Sequence, residues 1–402
     1  MRLKDISMRF SCQFCLYNSD HPFGLSLKVD SSAVTCSGCI THSEKHQNIW
    51  EDQQAYLCAL IKSHLKQKRQ YDCVVPVVGD AEDYFTLTQV LTLGLSPLVV
   101  SVNDYFRNDI GWHNLHQLIT YFDLDSLIFH PDLRVYKELV RTSLRKYDHL
   151  LLPFLQLHTS YPVHIAYERK IPLIIWGQHQ AIEQVGKFSH RDRVQMSRWS
   201  RNEHDLFNVD CDRLIGNGAQ VKERELNYYQ YPDITKLNKA GVIGIYLSNY
   251  LPWDPLAQNY QALAQGFKPQ THNGTFDIYE RAGSSVYYGI HDLLKMKRVG
   301  YRKVSDHLTR EIRHGRLTRS QGVDLQKQYQ AQQVDIEPFF DWLDVTQSGR
   351  QWFIKHRLKD VAHLIGKEIK DSPAIPDSIS SLLSGDAKPS REFILFGKGL
   401  NI

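Results

Sequence analysis

Four cysteines in two close pairs stand near the start of the chain: "CQFC" holds Cys12 and Cys15, and "CSGC" holds Cys36 and Cys39. Two such knuckles about 20 residues apart have the spacing of a tetrathiolate zinc ribbon. Each pair sits on a turn that aims two sulfurs at one point, and Gly38 suits the second turn. With four sulfurs around it, Zn2+ would keep no open position for water, so the expected role is structural. A disulfide pair or four unrelated cysteines are the alternatives. Cys58, Cys73 and Cys211 are scattered and read as core or helix residues.

A second chemically loaded stretch is "VVPVVGDAEDYFTLTQVLTLGLSPLVVSVND", Val74 to Asp104. It reads as a buried strand, a tight loop, a helix and a second buried strand. In a parallel α/β protein that first loop is where a nucleotide's phosphates sit. This loop, however, carries one glycine, Gly79, and three acids, Asp80, Glu82 and Asp83, with neither lysine nor serine. Two readings stay open. Glu82 and Asp83 could ligate Mg2+, which takes one or two carboxylates plus phosphate oxygens. Alternatively, they favour a helix N-terminus, where acids are common. Asn103 and Asp104 end the next strand, placed either to read a ribose or base, or to cap a helix or shape a turn. Gly177, Gln178 and His179 follow a later strand and form a second phosphate- or substrate-facing corner, or a plain turn with His179 outward.

Further along lie Arg298, Arg302, Lys303, Arg310 and Arg313. Guanidinium forks match the oxygens of a diphosphate, and a solvated charged helix face is the alternative for any one of them. His291 and His307, with Asp292 and Asp306 nearby, are candidate proton carriers because histidine titrates near neutrality. Tyr246, Asn249, Tyr250, Trp253 and Tyr279 could stack on or bond to a base or sugar, or simply line a core.

The elements that must position these residues follow from pattern. The 402 residues, 42% hydrophobic and 23% charged, are those of a globular protein with room for two or three domains. A net charge of +4 and the lack of a dedicated RNA module argue against a nucleic-acid partner. No apolar run approaches the roughly 20 residues of a membrane span. The N-terminus lacks the apolar core of a secretory signal, so a cytoplasmic location is expected, where structural disulfides are rare. "NIWEDQQAYLCALIKSHLKQKRQ" has helical periodicity and reads as a connector. The runs "CVVPVV", "PLVVSV", "SLIFH" and "IPLIIWG" alternate with amphipathic stretches of helical length, which predicts an α/β fold with a parallel sheet covered on both faces. "AGVIGIYLSNYLPWDP" gives one more strand, and the arginine-rich stretch that follows reads as a basic helical pair. The expected parts are a zinc ribbon over 1–48, the α/β domain over 49–190, a mostly helical substrate- or partner-binding region over 191–360, and a loose Ser/Pro/Asp-rich tail over 361–402.

The cysteine pairs, then "YDCVVPV", "IPLIIWG", "IGIYLSNYLPWDP", "GTFDIYE" and "GIHDLLKMKRVGYRKVSDHLTREIRHGRLTR", occur in that order between Cys12 and Asp335. Together they resemble the bacterial N-acetyl sugar amidotransferases of surface-polysaccharide, lipopolysaccharide O-antigen, biosynthesis. The most specific part is Gly289–Arg319. The resemblance implies a sheet of the adenine-nucleotide α-hydrolase type with a PP-loop, as in ATP pyrophosphatases. It also implies ATP and Mg2+ as cofactors and a nucleotide sugar as substrate. Such enzymes adenylylate a carbonyl oxygen, release pyrophosphate, and let ammonia displace AMP. Here the carbonyl would be the acetamido group, the product an acetamidino sugar, and the ammonia source a separate glutaminase with its synthase-like subunit. The family's loop reads Ser-Gly-Gly-Lys-Asp-Ser. Aligned without a gap, this chain has Val78, Gly79, Asp80, Ala81, Glu82 and Asp83, and only Gly79 is kept. Two functional classes therefore remain: an ATP-dependent amidotransferase with a rebuilt loop, or a pseudoenzyme that binds and regulates without the ATP chemistry.

Overall fold

The computed structural model describes residues 10–19, 21, 25–29, 33–65, 69–216, 218–368 and 372–387. Near the N-terminus, a short antiparallel hairpin of β1 (Leu27–Val29) and β2 (Val34–Cys36) leads into helix α1 (Ser37–Ser43). Helix α2 (Trp50–His64) follows where the connector was expected.

The centre is a six-stranded sheet of β3 (Cys73–Val77), β4 (Pro97–Val102), β5 (Ser126–Phe129), β6 (Leu173–Trp176), β7 (Gln195–Met196) and β8 (Ile243–Tyr246). Its spatial order is β5-β4-β3-β6-β8-β7, parallel throughout except for β7 at one edge. The crossovers run through α3 (Ala81–Thr92), α4 (Asp109–Tyr121), α5 (Leu133–Tyr147) and α6 (Leu152–Glu168). Strands β3, β4 and β6 are buried along their whole length, as their unbroken apolar runs require. Side-chain alternation along each strand divides the core in two. Val74, Val100 and Ile174 face one cluster with α5 and α6, while Val75, Val99 and Ile175 face the other with α3 and α4.

The chain turns one way from β3 to β4 and the other way to β6, so the crevice beyond the strand ends opens at β3 and β6. The sheet crosses the boundary expected at residue 190. β8 pairs with β6 along its full length, so the sheet is completed from beyond that point.

After the one-turn helix α7 (Gln180–Glu183) come α8 (Pro255–Gln261), α9 (Ser285–Val299), α10 (Val304–Arg313) and α11 (Arg319–Gln330). Arg302 ties the last three together. Its fully buried guanidinium donates to Asp292 Oδ2 at 2.6 Å and to the carbonyls of Tyr329 at 3.2 Å and Gln332 at 2.7 Å. The second Asp292 oxygen accepts from the Lys303 N–H at 2.6 Å. Removing one partner of such a buried pair costs about 3–5 kcal/mol. The expectation of a loose tail fails over its described part. Leu364 and Ile379 are buried, and Tyr279 Oη donates to Leu382 O at 2.6 Å, so apolar side chains dock this segment on the helices. Residues 369–371 and 388–402 of that tail lie outside the described residues. Among the described residues no helix is long and apolar enough to cross a membrane.

Candidate functional site

A cleft of about 280 Å³ opens where the switch in strand order puts it, beyond the ends of β3, β6 and β8. One wall is the loop after β3 with the first turn of α3, bringing Asp80, Glu82 and Asp83; Gly177 and Gln178 follow β6, and Tyr246 ends β8. The facing wall is Glu280, Arg281, Lys303, Asp306, His307 and Arg310, and the cysteine-bearing segment adds Tyr17 and His42.

On the first wall, three successive backbone N–H groups converge on one oxygen. Those of Val78, Gly79 and Asp80 donate to Asp83 Oδ2 at 2.8, 2.7 and 3.1 Å. Converging amides form an anion-binding nest, and Gly79, at φ 90°, provides the left-handed backbone the turn needs. The anion held there is the chain's own carboxylate. The second corner is filled in the same way: Glu82 Oε1 accepts from the Gln178 N–H at 2.7 Å, and a Cβ on Gly177 would collide with that carboxylate. Asp80 stands at the N-cap of α3 and Asp83 at its third position, the placement that the helix-terminus reading expects.

Burial raises all three acids. Asp80 reaches about 7 despite Arg281, Glu82 about 8 despite its N–H donor, and Asp83 about 6 despite three of them. Partial protonation near neutrality lets three carboxyls share one wall. As it stands the nest does not fit a nucleotide's phosphates, because Asp83 Oδ2 already takes its three N–H groups.

The facing wall is built of ion pairs. Lys303 Nζ lies 2.8 Å from Glu280 Oε1 and 3.8 Å from Asp306 Oδ2, and Lys295 Nζ bonds the same Asp306 oxygen. Asp306 Oδ1 accepts from Tyr17 Oη at 2.8 Å. His307 has both ring nitrogens engaged, Nδ1 with Thr275 Oγ1 at 2.7 Å and Nε2 with Glu280 Oε2 at 2.6 Å. Arg310 Nη2 donates to Asp277 Oδ2 at 2.8 Å. Burial opposes charge on Glu280 and Asp306, yet Lys303 and His307 hold the first, and Lys295 and Lys303 the second, well below the usual carboxylate range.

The structure therefore brings Asp80, Glu82, Asp83, Gly177, Gln178, Tyr246, Asp306, His307, Arg310 and Arg313 to one cleft. It leaves others elsewhere. His291 packs near His149 and Tyr287, and burial drives its basicity far down, so it stays neutral away from the cleft. Arg298 donates to Asp148 O, and Asn249 Nδ2 to Val194 O at 2.9 Å. Asn103 Oδ1 and Asp104 Oδ1 accept from the N–H groups of Tyr105 and Phe106 at 2.9 and 3.0 Å, which is turn formation. His179, by contrast, lines the cleft, buried and stacked on Tyr246 with ring centroids 4.1 Å apart, and not outward. Sequence reading passed over Glu280, Arg281, Asp277, Tyr17 and His42. For the first three the signal was available in the acid and base pairs of "FDIYERAG", a loop bounded by glycine.

Cys12, Cys15, Cys36 and Cys39 place their sulfurs within 4.8 Å of one another, with Cys12–Cys39 at 3.9 Å and Cys15–Cys36 at 3.6 Å. Among the described residues this is the group able to share a metal ion. The N–H groups of Phe14 and Cys36 point at Cys12 Sγ, and that of Cys39 at Cys36 Sγ, each at 3.4 Å. Arg313 belongs to this centre: its Nη2 lies 3.6 Å from Cys36 Sγ and its Nη1 donates to the carbonyls of Glu183 and Gln184 at 3.0 and 2.9 Å. If the four cysteines hold a divalent ion as thiolates, a guanidinium there would offset the excess negative charge.

Residues 273–360 match the family model of the LPS biosynthesis protein WbpG-like C-terminal domain. Similar solved structures include NMN synthetase from Francisella tularensis, at 12% identity and a TM-score of 0.28, over 48% of this chain and 92% of that one. Another is the NH3-dependent NAD synthetase from Campylobacter jejuni in complex with the nitrate ion, at 11% identity and a TM-score of 0.27, over 48% of this chain and 91% of that one. Among curated proteins none matches the chain.

Proposed function

We propose that this chain serves surface-polysaccharide biosynthesis as an amidotransferase-like protein that takes a nucleotide sugar into its cleft without activating it through ATP. It would act as a binding or regulatory partner of an active paralogue and of the separate glutaminase and synthase-like subunit. The observation that carries this reading is Asp83 Oδ2 accepting three backbone N–H bonds where a nucleotide phosphate would lie. Displacing it would mean removing a partly buried, hydrogen-bonded carboxylate and seating a polyanion beside Asp80 and Glu82, at about 1 kcal/mol per like-charge contact near 4 Å in water and several-fold more in a dry cleft. The cationic wall, by contrast, lies within the segment that resembles an LPS biosynthesis domain. Zn2+ in the four-cysteine site would be structural, since four thiolates close its coordination.

The ATP-dependent amidotransferase remains the second reading, favoured by Asp80 and Glu82 titrating near neutrality opposite a cationic wall, a combination typical of catalytic sites. Titration calorimetry of ATP with and without Mg2+, followed by product assays with ammonia and a panel of nucleotide-linked acetamido sugars, separates the two. The expected result is sugar-nucleotide binding with no ATP binding at millimolar concentration and no AMP or pyrophosphate. Magnesium-dependent micromolar ATP binding with turnover would overturn it.

A further inference from the structure

We infer that Arg281 is an oxyanion-binding residue of this cleft, and that Asp80 is the counter-ion it exchanges for the arriving ligand. The inference rests on the proposal that the cleft takes an anionic ligand, and it names the residue and the class of group: a phosphate-type oxyanion.

The backbone gives the first argument. Arg281 sits at φ 59°, in the left-handed region that a non-glycine residue enters at a cost. The surrounding loop holds it there. The N–H groups of Tyr279 and Glu280 both donate to Asp277 Oδ1 at 2.9 Å, and His272 Nε2 bonds Arg281 O at 3.1 Å. The Gly283 N–H donates to Gln270 Oε1 at 2.7 Å, and Gly283 O accepts from the Asn108 N–H at 2.8 Å. Four anchors hold one strained residue, and the result is a guanidinium delivered to the cleft opposite the acidic loop.

Comparison with the other cations gives the second. Lys303 is paired with Glu280, Arg310 with Asp277 and Glu311, and Arg313 with two carbonyls. The Arg281 guanidinium makes no hydrogen bond among the described residues. Its nearest carboxylate oxygen, Asp80 Oδ2, is 4.0 Å from Nε, beyond hydrogen-bond range. The charges of Asp80, Glu280 and Asp104 and the Phe154 ring, 5.8 Å from the guanidinium, hold the fork in place, while its N–H donors stay unengaged, which suits a tetrahedral oxyanion that can take two of them at once. Asp80 lies at the ligand's charge position and must yield it.

The test is titration calorimetry on the full-length, zinc-loaded protein with inorganic phosphate, with UDP, and with a nucleotide-linked acetamido sugar. Asp80→Asn keeps a good N-cap and removes the competing charge. It should tighten phosphate binding about five- to tenfold, the size of one like-charge contact at the edge of a cleft. Arg281→Lys should weaken binding at least tenfold. Arg281→Gly, at home at positive φ, should raise the thermal midpoint while abolishing phosphate binding, so a loss of binding is not a loss of fold. Free phosphate binding as tightly as UDP would identify the isolated oxyanion as the ligand; UDP binding more tightly would identify a nucleotide's phosphate. Either agrees with the inference. Unchanged binding in both Arg281 variants, or weaker binding in Asp80→Asn, overturns it, even if the nucleotide sugar binds and the proposed function stands. Phosphate binding that responds as expected, with no nucleotide-sugar binding, overturns the function and leaves this inference. No binding of any probe at millimolar concentration overturns both.

Discussion

On one side of the cleft Asp83 turns its carboxylate into three N–H groups of its own loop; on the other, Arg281 holds a guanidinium 4.0 Å from the nearest carboxylate. Both walls carry dense charge and pair most of it internally; on the second, the Arg281 guanidinium is left with its donors unengaged among the described residues. The contrast separates two properties that usually travel together in an α/β sheet, a loop shaped for phosphate and a loop available to it. Position at the switch point gives the shape; the residue three places into the helix decides the availability.

The largest way to break the comparison is to remove the metal. Tyr17 belongs to the buried cluster of Cys12, Cys15 and Cys36, and its hydroxyl holds Asp306, which faces Lys303. The cationic wall thus leans on the cysteine centre, and the acidic loop does not. Cys36→Ser, or chelation, should reduce bound zinc from about one ion per chain to nearly none. It should lower the thermal midpoint more than any cleft substitution, since structural zinc sites contribute folding free energy on the order of 10 kcal/mol in small peptides. A chelated protein with an unchanged midpoint and unchanged phosphate binding would refute the coupling.

Next in size is opening the nest. Asp83→Ser deletes the resident anion and leaves three N–H groups pointing at water. The lost charge-assisted bonds should cost about 1.5–3 kcal/mol in urea unfolding, and the emptied nest should bind pyrophosphate or ATP where the parent protein does not. If the variant is destabilised yet binds neither, the loop is not a phosphate site with its own plug, and the acidic wall has some other use.

How far the sequence reveals all this depends on whether a residue's role is local. The four cysteines, the sheet and the loop after β3 were legible because ligand spacing, apolar runs and a glycine-bearing turn are properties of neighbours in the chain. Arg302 and Arg281 show the limit. Both sit in charged stretches, and "GYRK" looks more like a phosphate reader than "ERAG". Yet Arg302 is fully buried on Asp292, while Arg281 faces the cleft. Which arginine is held internally depends on carbonyls at the far end of α11, near Gln332, and these have no signature in the composition around either residue. His291 was misread for the same reason: packing against His149, from the loop between α5 and α6, is invisible in "GIHDLL".

The smallest effect, and the sharpest on the acidic wall, is its dependence on pH. Glu82 rises through burial to about 8 in the folded protein, against about 4.3 in an open chain. Between those values the folded state holds a proton that the unfolded state has lost. This contribution is therefore fully present below about pH 4 and disappears as pH rises through about 8. Asp80, at about 7, acts in the same direction. Buried His158, His179 and His314, each lowered by burial to about 3, act oppositely, but only below about pH 6.5. The four clustered cysteines add a slope of their own, so the total curve is a poor reporter and the difference between two proteins is the useful one. Glu82→Gln keeps an oxygen for the Gln178 N–H and cannot ionise. Its stability relative to the parent should rise between pH 6.5 and 8.5 by on the order of 1 kcal/mol, measured by urea unfolding at each pH. A flat difference would mean Glu82 is solvated enough to ionise freely, and the first wall would then be open to water at the corner that its carboxylate occupies.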